Sequence, residues 1–451
     1  SQAHFWLKVE RAAFCVYVGM LTCPSYFETA MPQRQIILLL LTVFAAAEEP
    51  KPEPPQPQIP AGFDTYNVFW PYDADANGTV YPCTYIPTLV LANRTRLIAH
   101  GSCALKVEDC NGIHLSSRTQ GLEDSPRLKS NPISEGLLCQ KHSDDGGRTW
   151  SRLRLVSRSS QNGQIAWDDH RKVLVAHWTP GRPGIPLQEH KSWDLGETWS
   201  SPRSMSFLFE EGPEGDGSHS LWASAGAALQ LSSTNKYHPN RLVFAGRMNG
   251  CGTFWFTDDG ETYHMSKNAS GAPFCEPGIA ETALAETPDG GILTSSRNGM
   301  FHGPGKCNCR ATTHSQDGGT TFGQLGFDRV LVEPECMATM VNDGDPGAIF
   351  HANPGHGTNT ESKSPPNGRA SGTVRRSDDG GMTWTSVVLN GHDAYSYSCL
   401  SKMPKMGFVG LAWETVLPGS NVPKTWSTNN VVFTSIPTNF TVTNADVSMI
   451  V

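Results

Sequence analysis

Long helical periodicity is absent from this chain of 451 residues, and charge is scarce, with 17% of residues being Asp, Glu, Lys or Arg. The first absence argues against an all-helical fold. A basic excess is missing too. Lys and Arg number 35 against 43 Asp and Glu, a net charge of −8, which argues against nucleic acid or an anionic membrane surface as partner. It does not argue against an acidic sugar, because a local arginine cluster outweighs a mildly negative surface. The apolar run that starts at Ile36 holds about a dozen residues, short of the roughly 20 that span a membrane. Metal-ligand spacing is equally sparse. Cys307-Asn-Cys309 stands without a second well-spaced Cys/His pair, so no metal and no cofactor is expected. What the chain does have is Gly 44, Pro 32 and Trp 12, a composition suited to many short strands joined by turns.

One phrase recurs. It reads Ser143-Asp-Asp-Gly-Gly-Arg-Thr-Trp150, Ser192-Trp-Asp-Leu-Gly-Glu-Thr-Trp199, Ser315-Gln-Asp-Gly-Gly-Thr-Thr-Phe322 and Ser377-Asp-Asp-Gly-Gly-Met-Thr-Trp384, with a copy one residue short at Thr257-Asp-Asp-Gly-Glu-Thr-Tyr263. The starts fall 49, 65, 58 and 62 residues apart, a period that suits one four-stranded propeller blade per copy. Each residue type has a structural task. The Asp carboxylate accepts hydrogen bonds from amides of its own turn, and Gly supplies the positive φ of a tight hairpin. The closing aromatic starts the next strand and packs between blades, where burying a ring contributes about 2–3 kcal/mol. The repeats therefore report fold, and the chemistry must lie elsewhere.

The ends of the chain read differently. Met31 to Ala47 has a short basic start, an apolar run and a small-residue end, the pattern of a signal peptide. Translation is expected to start at Met31, with residues 1–30 upstream of the fold and cleavage after Ala47. Residues 48–62 form a Pro-rich linker, 63–440 the globular domain, and 441–451 a tail. Ten of the twelve Cys fall in the part after Ala47, and glycosylation sequons stand at Asn77, Asn93, Asn268 and Asn439. Both features suit an oxidising compartment, with the disulfide connectivity open. The expected location is secreted, or the lysosomal or endomembrane lumen.

The repeated phrase resembles the Asp box of the sialidase superfamily, and residues 80–436 resemble sialidases, most closely the animal lysosomal type. Glu281-Thr-Ala-Leu-Ala-Glu-Thr-Pro-Asp-Gly290 and Ile292-Leu-Thr-Ser-Ser-Arg-Asn298 are similar to the segment that carries a catalytic Glu and, sixteen residues on, the second arginine of a triad. Thr373-Val-Arg-Arg-Ser377 resembles the strand of the third arginine, Tyr397-Ser-Cys-Leu400 the phrase of the nucleophilic tyrosine, and Leu411-Ala-Trp-Glu414 the strand whose Glu orients the first arginine. The resemblance implies an all-β, six-bladed β-propeller in which Arg297 and Arg375 hold a substrate carboxylate, Tyr397 attacks and Glu281 takes its proton. Such a set suits a sialic acid. Guanidinium forks bind its carboxylate in a bidentate, charge-assisted way. A neutral tyrosine attacks the anomeric carbon without like-charge repulsion, which is why sialidases depart from the usual pair of catalytic carboxylates.

The chain departs from the family at two places. Where the family has an arginine in a Phe/Tyr-Arg-Ile-Pro phrase, the sequence reads Thr84-Tyr85-Ile86-Pro87, so Tyr85 stands at the first arginine's position. Losing that fork costs about 2–4 kcal/mol of carboxylate binding, unless Arg94, Arg96 or Lys106 fills the space. The catalytic acid is Asp124 by its Asp-Ser-Pro context, with Asp109 and Glu135 as alternatives by distance. The resulting expectation is a retaining glycoside hydrolase that releases sialic acid or a related acidic sugar from sialylated or other acidic glycans. The rival readings are a catalytically inactive sialidase-like lectin and a propeller enzyme acting on another acidic glycan, such as a uronic-acid lyase or hydrolase.

Overall fold

Every copy of the repeated phrase closes the hairpin after the third main strand of its sheet. In the computed structural model, residues 63–106, 136–180, 185–216, 218–299, 307–355, 369–390, 394–403, 407–415 and 430–440 are described. The expected upstream segment, signal peptide, linker and tail lie outside these residues, as do Asp109, Asp124 and Glu135. Within the repeat turns, Gly147, Gly196, Gly319 and Gly381 each donate their amide to the Oγ of the phrase's own serine at 2.7–2.8 Å. The Asp145 carboxylate accepts from Thr149 N at 2.9 Å and Thr149 Oγ1 at 2.6 Å. The short copy keeps this scheme, with Gly260 N bonded to Thr257 Oγ1 at 2.8 Å and Asp259 Oδ1 accepting from Thr262 N at 2.7 Å. The leading Ser/Thr is thus a hydrogen-bond partner within the turn.

Six blades follow in chain order. The first holds Cys83–Ala92, Arg96–Ala104, Leu137–Ser143 and Arg154–Ser157. The second holds Ser160–Asp168, Val173–Pro180, Gln188–Ser192 and Arg203–Ser204. In the third, two short edge strands, Leu221–Ala223 and Leu229–Gln230, flank Leu242–Met248, followed by Cys251–Thr257 and His264–Met265. The fourth holds Ile279–Glu286, Ile292–Asn298, Cys309–Thr312 and Gly326–Val332, and the fifth Thr339–Asn342, Ile349–Pro354, Gly372–Ser377 and Thr385–Val388. The sixth combines Ser398–Met403, Phe408–Thr415 and Asn430–Pro437 with Thr65–Phe69, so strands from both ends of the domain close the ring.

Apolar clusters fill all six seams between adjacent blades. At the seam of the sixth and first blades, Trp150 packs edge-on to Phe433 with ring centroids 5.8 Å apart. Gly147 has φ +93°, and a Cβ there would lie 2.2 Å from Phe433 Cε1. Gly147→Ala is therefore expected to destabilise by about 1–3 kcal/mol through overpacking, added to the cost of a positive φ. Gly78→Ala, with φ +80° and open space around it, carries the backbone cost alone. Thermal unfolding of the two variants should show the larger fall for Gly147→Ala.

The ten cysteines after Ala47 do not all pair. Cys103–Cys139, Cys251–Cys275 and Cys307–Cys309 form disulfides, Cys83 is also disulfide-bonded, and Cys336 and Cys399 are buried thiols.

Candidate active site

Because the strands alternate in direction, each blade presents its residues to two opposite faces. The first, innermost strand begins, and the second ends, at one face. The third strand begins at that face and ends in the repeat turn at the other. Residues of the site face therefore sit at innermost-strand starts, at second-strand ends, or just before third strands.

Glu281 is near the start of the fourth blade's innermost strand, where the pairing slips between Ala280 and Thr282. It occupies this bulge with φ +40°, a conformation that turns its side chain out of the regular pleat. Arg297, across from Ala280 in the register, ends the second strand. Tyr397 immediately precedes the innermost strand of the sixth blade. The three side chains meet. Tyr397 Oη donates to Glu281 Oε1 at 2.7 Å, while Arg297 Nη1 donates to Glu281 Oε2 at 2.7 Å and to Tyr397 Oη at 3.0 Å. Tyr397 is 5% exposed and the Glu281 side chain 24%, so the group is sheltered with an opening on the carboxylate side.

Electrostatics separate the two acids. Burial pushes the Tyr397 hydroxyl above its ordinary pKa, and the Glu281 carboxylate beside it pushes further. Burial works in the same direction on Glu281, but the Arg297 charge and hydrogen bonds from Arg297 and Tyr397 outweigh it and hold the carboxyl below its usual range. The pair is thus a neutral phenol hydrogen-bonded to an ionised carboxylate. A proton can pass between them in one step.

A second guanidinium faces Tyr397, and it belongs to Arg369. Its Cζ lies 5.2 Å from the tyrosine ring centroid, Nη1 donates to Ser396 Oγ at 3.3 Å, and Nη2 donates to the Glu335 carbonyl at 2.8 Å. Arg375, expected in this position, stands elsewhere. It is buried in the middle of the fifth blade's third strand, across from His351, and donates Nη1 to Asn353 Oδ1 at 2.8 Å. Burial lowers its pKa to about 10. The reason is topological: a residue two positions before the repeat serine Ser377 lies toward the repeat-turn end of its strand. The residue that reaches the site must precede that strand, as Arg369 does. Distance from the repeat phrase was the available signal.

Glu414 ends the second strand of the sixth blade and is completely buried. Its carboxylate accepts from the amide of Ile86 and, at 3.3 Å, from the amide of Tyr397. It thereby ties Tyr397 to the first blade at the Tyr85-Ile86 step, where the pairing slips and Ile86 takes φ +54°. Tyr85 itself is buried among Cys83, Ile86 and Ala104. Two of the three candidate cations for the space near it do not come close in the fold. Arg94 pairs with Asp169 at 3.4 Å, and Arg96 pairs with Asp144 at 2.7 Å and with Glu197, all toward the repeat-turn face. Lys106 follows the site end of its strand and is exposed.

Glu335, which no sequence motif marks, also reaches the site. It has φ +57°, and its carboxylate lies 3.9 Å from Arg297 Nη2. The turn around it hangs on a buried ion pair between Arg310 and Glu333, both fully shielded from solvent. Arg310 Nη1 also donates to the Cys336 carbonyl at 2.7 Å, and Glu333 Oε1 accepts from Cys336 N at 2.9 Å.

No family model matches the chain. The chain is similar to a sialidase of Micromonospora viridifaciens, 26% identical over 446 residues, which takes in 89% of this chain and 60% of the relative. It is also 24% identical over 313 residues to a sialidase of Bacteroides fragilis, covering 60% of this chain and 53% of the relative. The aligned chain thus spans little more than half the length of these curated relatives. Among solved structures, the leech intramolecular trans-sialidase in complex with 2,7-anhydro-Neu5Ac matches with a TM-score of 0.58 at 15% identity, over 84% of this chain and 70% of that one. The intramolecular trans-sialidase of Ruminococcus gnavus matches with a TM-score of 0.58 at 15% identity, over 82% and 97%. Sequence relatives that are sialidases, together with a six-bladed propeller like that of sialidase structures, support a place for this chain in the sialidase superfamily.

Proposed function

We propose that the chain is a retaining, sialidase-like glycoside hydrolase that releases a terminal sialic acid or related acidic sugar. The observation that carries this reading is the contact among Tyr397, Glu281 and Arg297, with Oη–Oε1 at 2.7 Å and the guanidinium bonded to both partners. Arg297 and Arg369 flank Tyr397 and hold the substrate carboxylate. Tyr397 Oη forms a bond to the anomeric carbon as its proton passes to Glu281. The glycosidic C–O bond breaks, and the leaving oxygen takes a proton from an acid, for which Asp124 is the candidate and Asp109 and Glu135 the alternatives. Water then attacks the same carbon and gives up a proton to the conjugate base of that acid, the bond from Tyr397 Oη to the carbon breaks as Glu281 returns the proton to Oη, and two inversions give net retention. Sialylated glycans are the proposed partners. The disulfides support a secreted or lysosomal, endomembrane-lumen setting.

Hydrolysis of a fluorogenic sialoside tests the reading. With Tyr85 at the family's arginine position, turnover is expected to be slow with a high KM, and Tyr85→Arg is expected to raise kcat/KM. Absence of activity in the parent and of gain in Tyr85→Arg would favour the rivals. A glycan array then separates them: unmodified bound glycan means a lectin, and processed glycan means an enzyme for another acidic sugar.

The two arginines make a sharper comparison. Arg369→Ala removes a charge-assisted contact of about 1.5–3 kcal/mol, so KM and the Ki of a carboxylate inhibitor should both rise roughly 10- to 100-fold. Arg375→Ala leaves Asn353 Oδ1 without its donor, so it should lower the unfolding temperature while inhibitor Ki holds in the protein that stays folded.

A further inference from the structure

We infer that Glu335 is a built-in counter-anion of the arginine pair, which competes with the substrate's carboxylate and so sets the affinity of the site for anionic sugars. The inference rests on the sialidase reading above. One residue meets both guanidiniums, its carbonyl accepting from Arg369 Nη2 at 2.8 Å and its carboxylate lying 3.9 Å from Arg297 Nη2. The backbone φ of +57° places those two groups on different arginines. Glutamate gains nothing by itself in that left-handed conformation, so the surroundings must impose it. The buried Arg310–Glu333 pair does so through its bonds to the amide and carbonyl of Cys336, the next residue.

The exposure of the carboxylate decides its part. The Glu335 side chain is 52% exposed, against 14% for Arg297, so its head stands at the mouth of the arginine site and can swing aside. A substrate carboxylate arriving at Arg297 and Arg369 adds an anion to the Glu281 and Glu335 carboxylates already beside Arg297. Either Glu335 withdraws into water or it and the substrate carboxylate repel, and both outcomes subtract from binding. The same competition assists departure of the anionic product, because Glu335 re-forms its contact as the sugar leaves.

Glu335→Gln keeps shape and backbone while removing the charge. Calorimetric titration with an unsaturated sialic acid analogue should give a Kd about three- to fivefold lower than in the parent, the range of a half-exposed ion pair. The methyl ester of the same analogue, which lacks the anion, should bind parent and variant alike. The gap between parent and variant should also narrow as salt is raised. If Glu335 instead accepts a hydrogen bond from a sugar hydroxyl, Glu335→Gln weakens both ligands, and the inference fails. An unchanged Kd for the acid in a parent that binds it overturns the counter-anion alone. A parent that binds neither acid nor ester, and cleaves no sialoside, overturns the sialidase reading and the counter-anion with it.

Discussion

Tyr397→Phe is expected to reduce sialoside turnover by about 10³-fold or more, the scale on which removal of a nucleophile acts in a catalytic unit. The substitution deletes Oη and with it the bonds to Glu281 Oε1 and Arg297 Nη1, while the ring stays available to pack against Arg369. Binding of a carboxylate sugar analogue should therefore change little, because the arginines that hold it are still present. Steady-state kinetics beside calorimetry make the distinction. A fall in kcat with Kd near the parent value fits a nucleophile, whereas an equal loss in both would make Tyr397 a binding residue.

Glu281→Gln is expected to lower kcat/KM by about 10²- to 10⁴-fold, the usual contribution of a positioned general base. Glutamine retains a hydrogen bond to the tyrosine and cannot accept its proton. The pH profile carries a second signature. Arg297 holds the Glu281 carboxyl below its ordinary value of 4.5, so the base is ionised above that depressed pKa and lost as pH falls through it. The acid limb of kcat/KM in the parent should consequently lie below pH 4.5. Arg297→Met removes the depressing charge, so the limb should move to higher pH in the residual activity. A limb that stays in place would mean that another group sets it.

The parts of the molecule visible in the sequence were those whose information is local. The repeat turns draw every ligand of Asp145 and Ser143 from within eight residues, so composition and spacing reveal blades directly. Glu281 and Arg297 are also close in the chain, because one hairpin carries both to the same face. Arg369 and Arg375 show where this reasoning stops. Both are arginines near the third strand of the fifth blade, and only strand direction decides which of them reaches Tyr397. Thr373-Val-Arg-Arg-Ser377 runs directly into the repeat phrase, and that junction places Arg375 toward the far end of the strand. Glu414 was expected to orient an arginine and instead binds the amides of Ile86 and Tyr397, because backbone at the Tyr85-Ile86 step bends toward it. Glu335 left no sequence signal, since its role depends on a left-handed backbone imposed by Arg310 and Glu333.

The central claim is that Tyr397 forms a covalent bond to the sugar, and trapping that bond tests it most directly. A sialosyl fluoride bearing a second fluorine beside the anomeric carbon slows both steps but retains a good leaving group, so the glycosyl-enzyme accumulates. Mass spectrometry of the digested protein should find the sugar on the peptide containing Tyr397, in the parent and not in Tyr397→Phe. A sugar adduct on any other residue, or turnover of this reagent with inverted product and no adduct, would contradict the account.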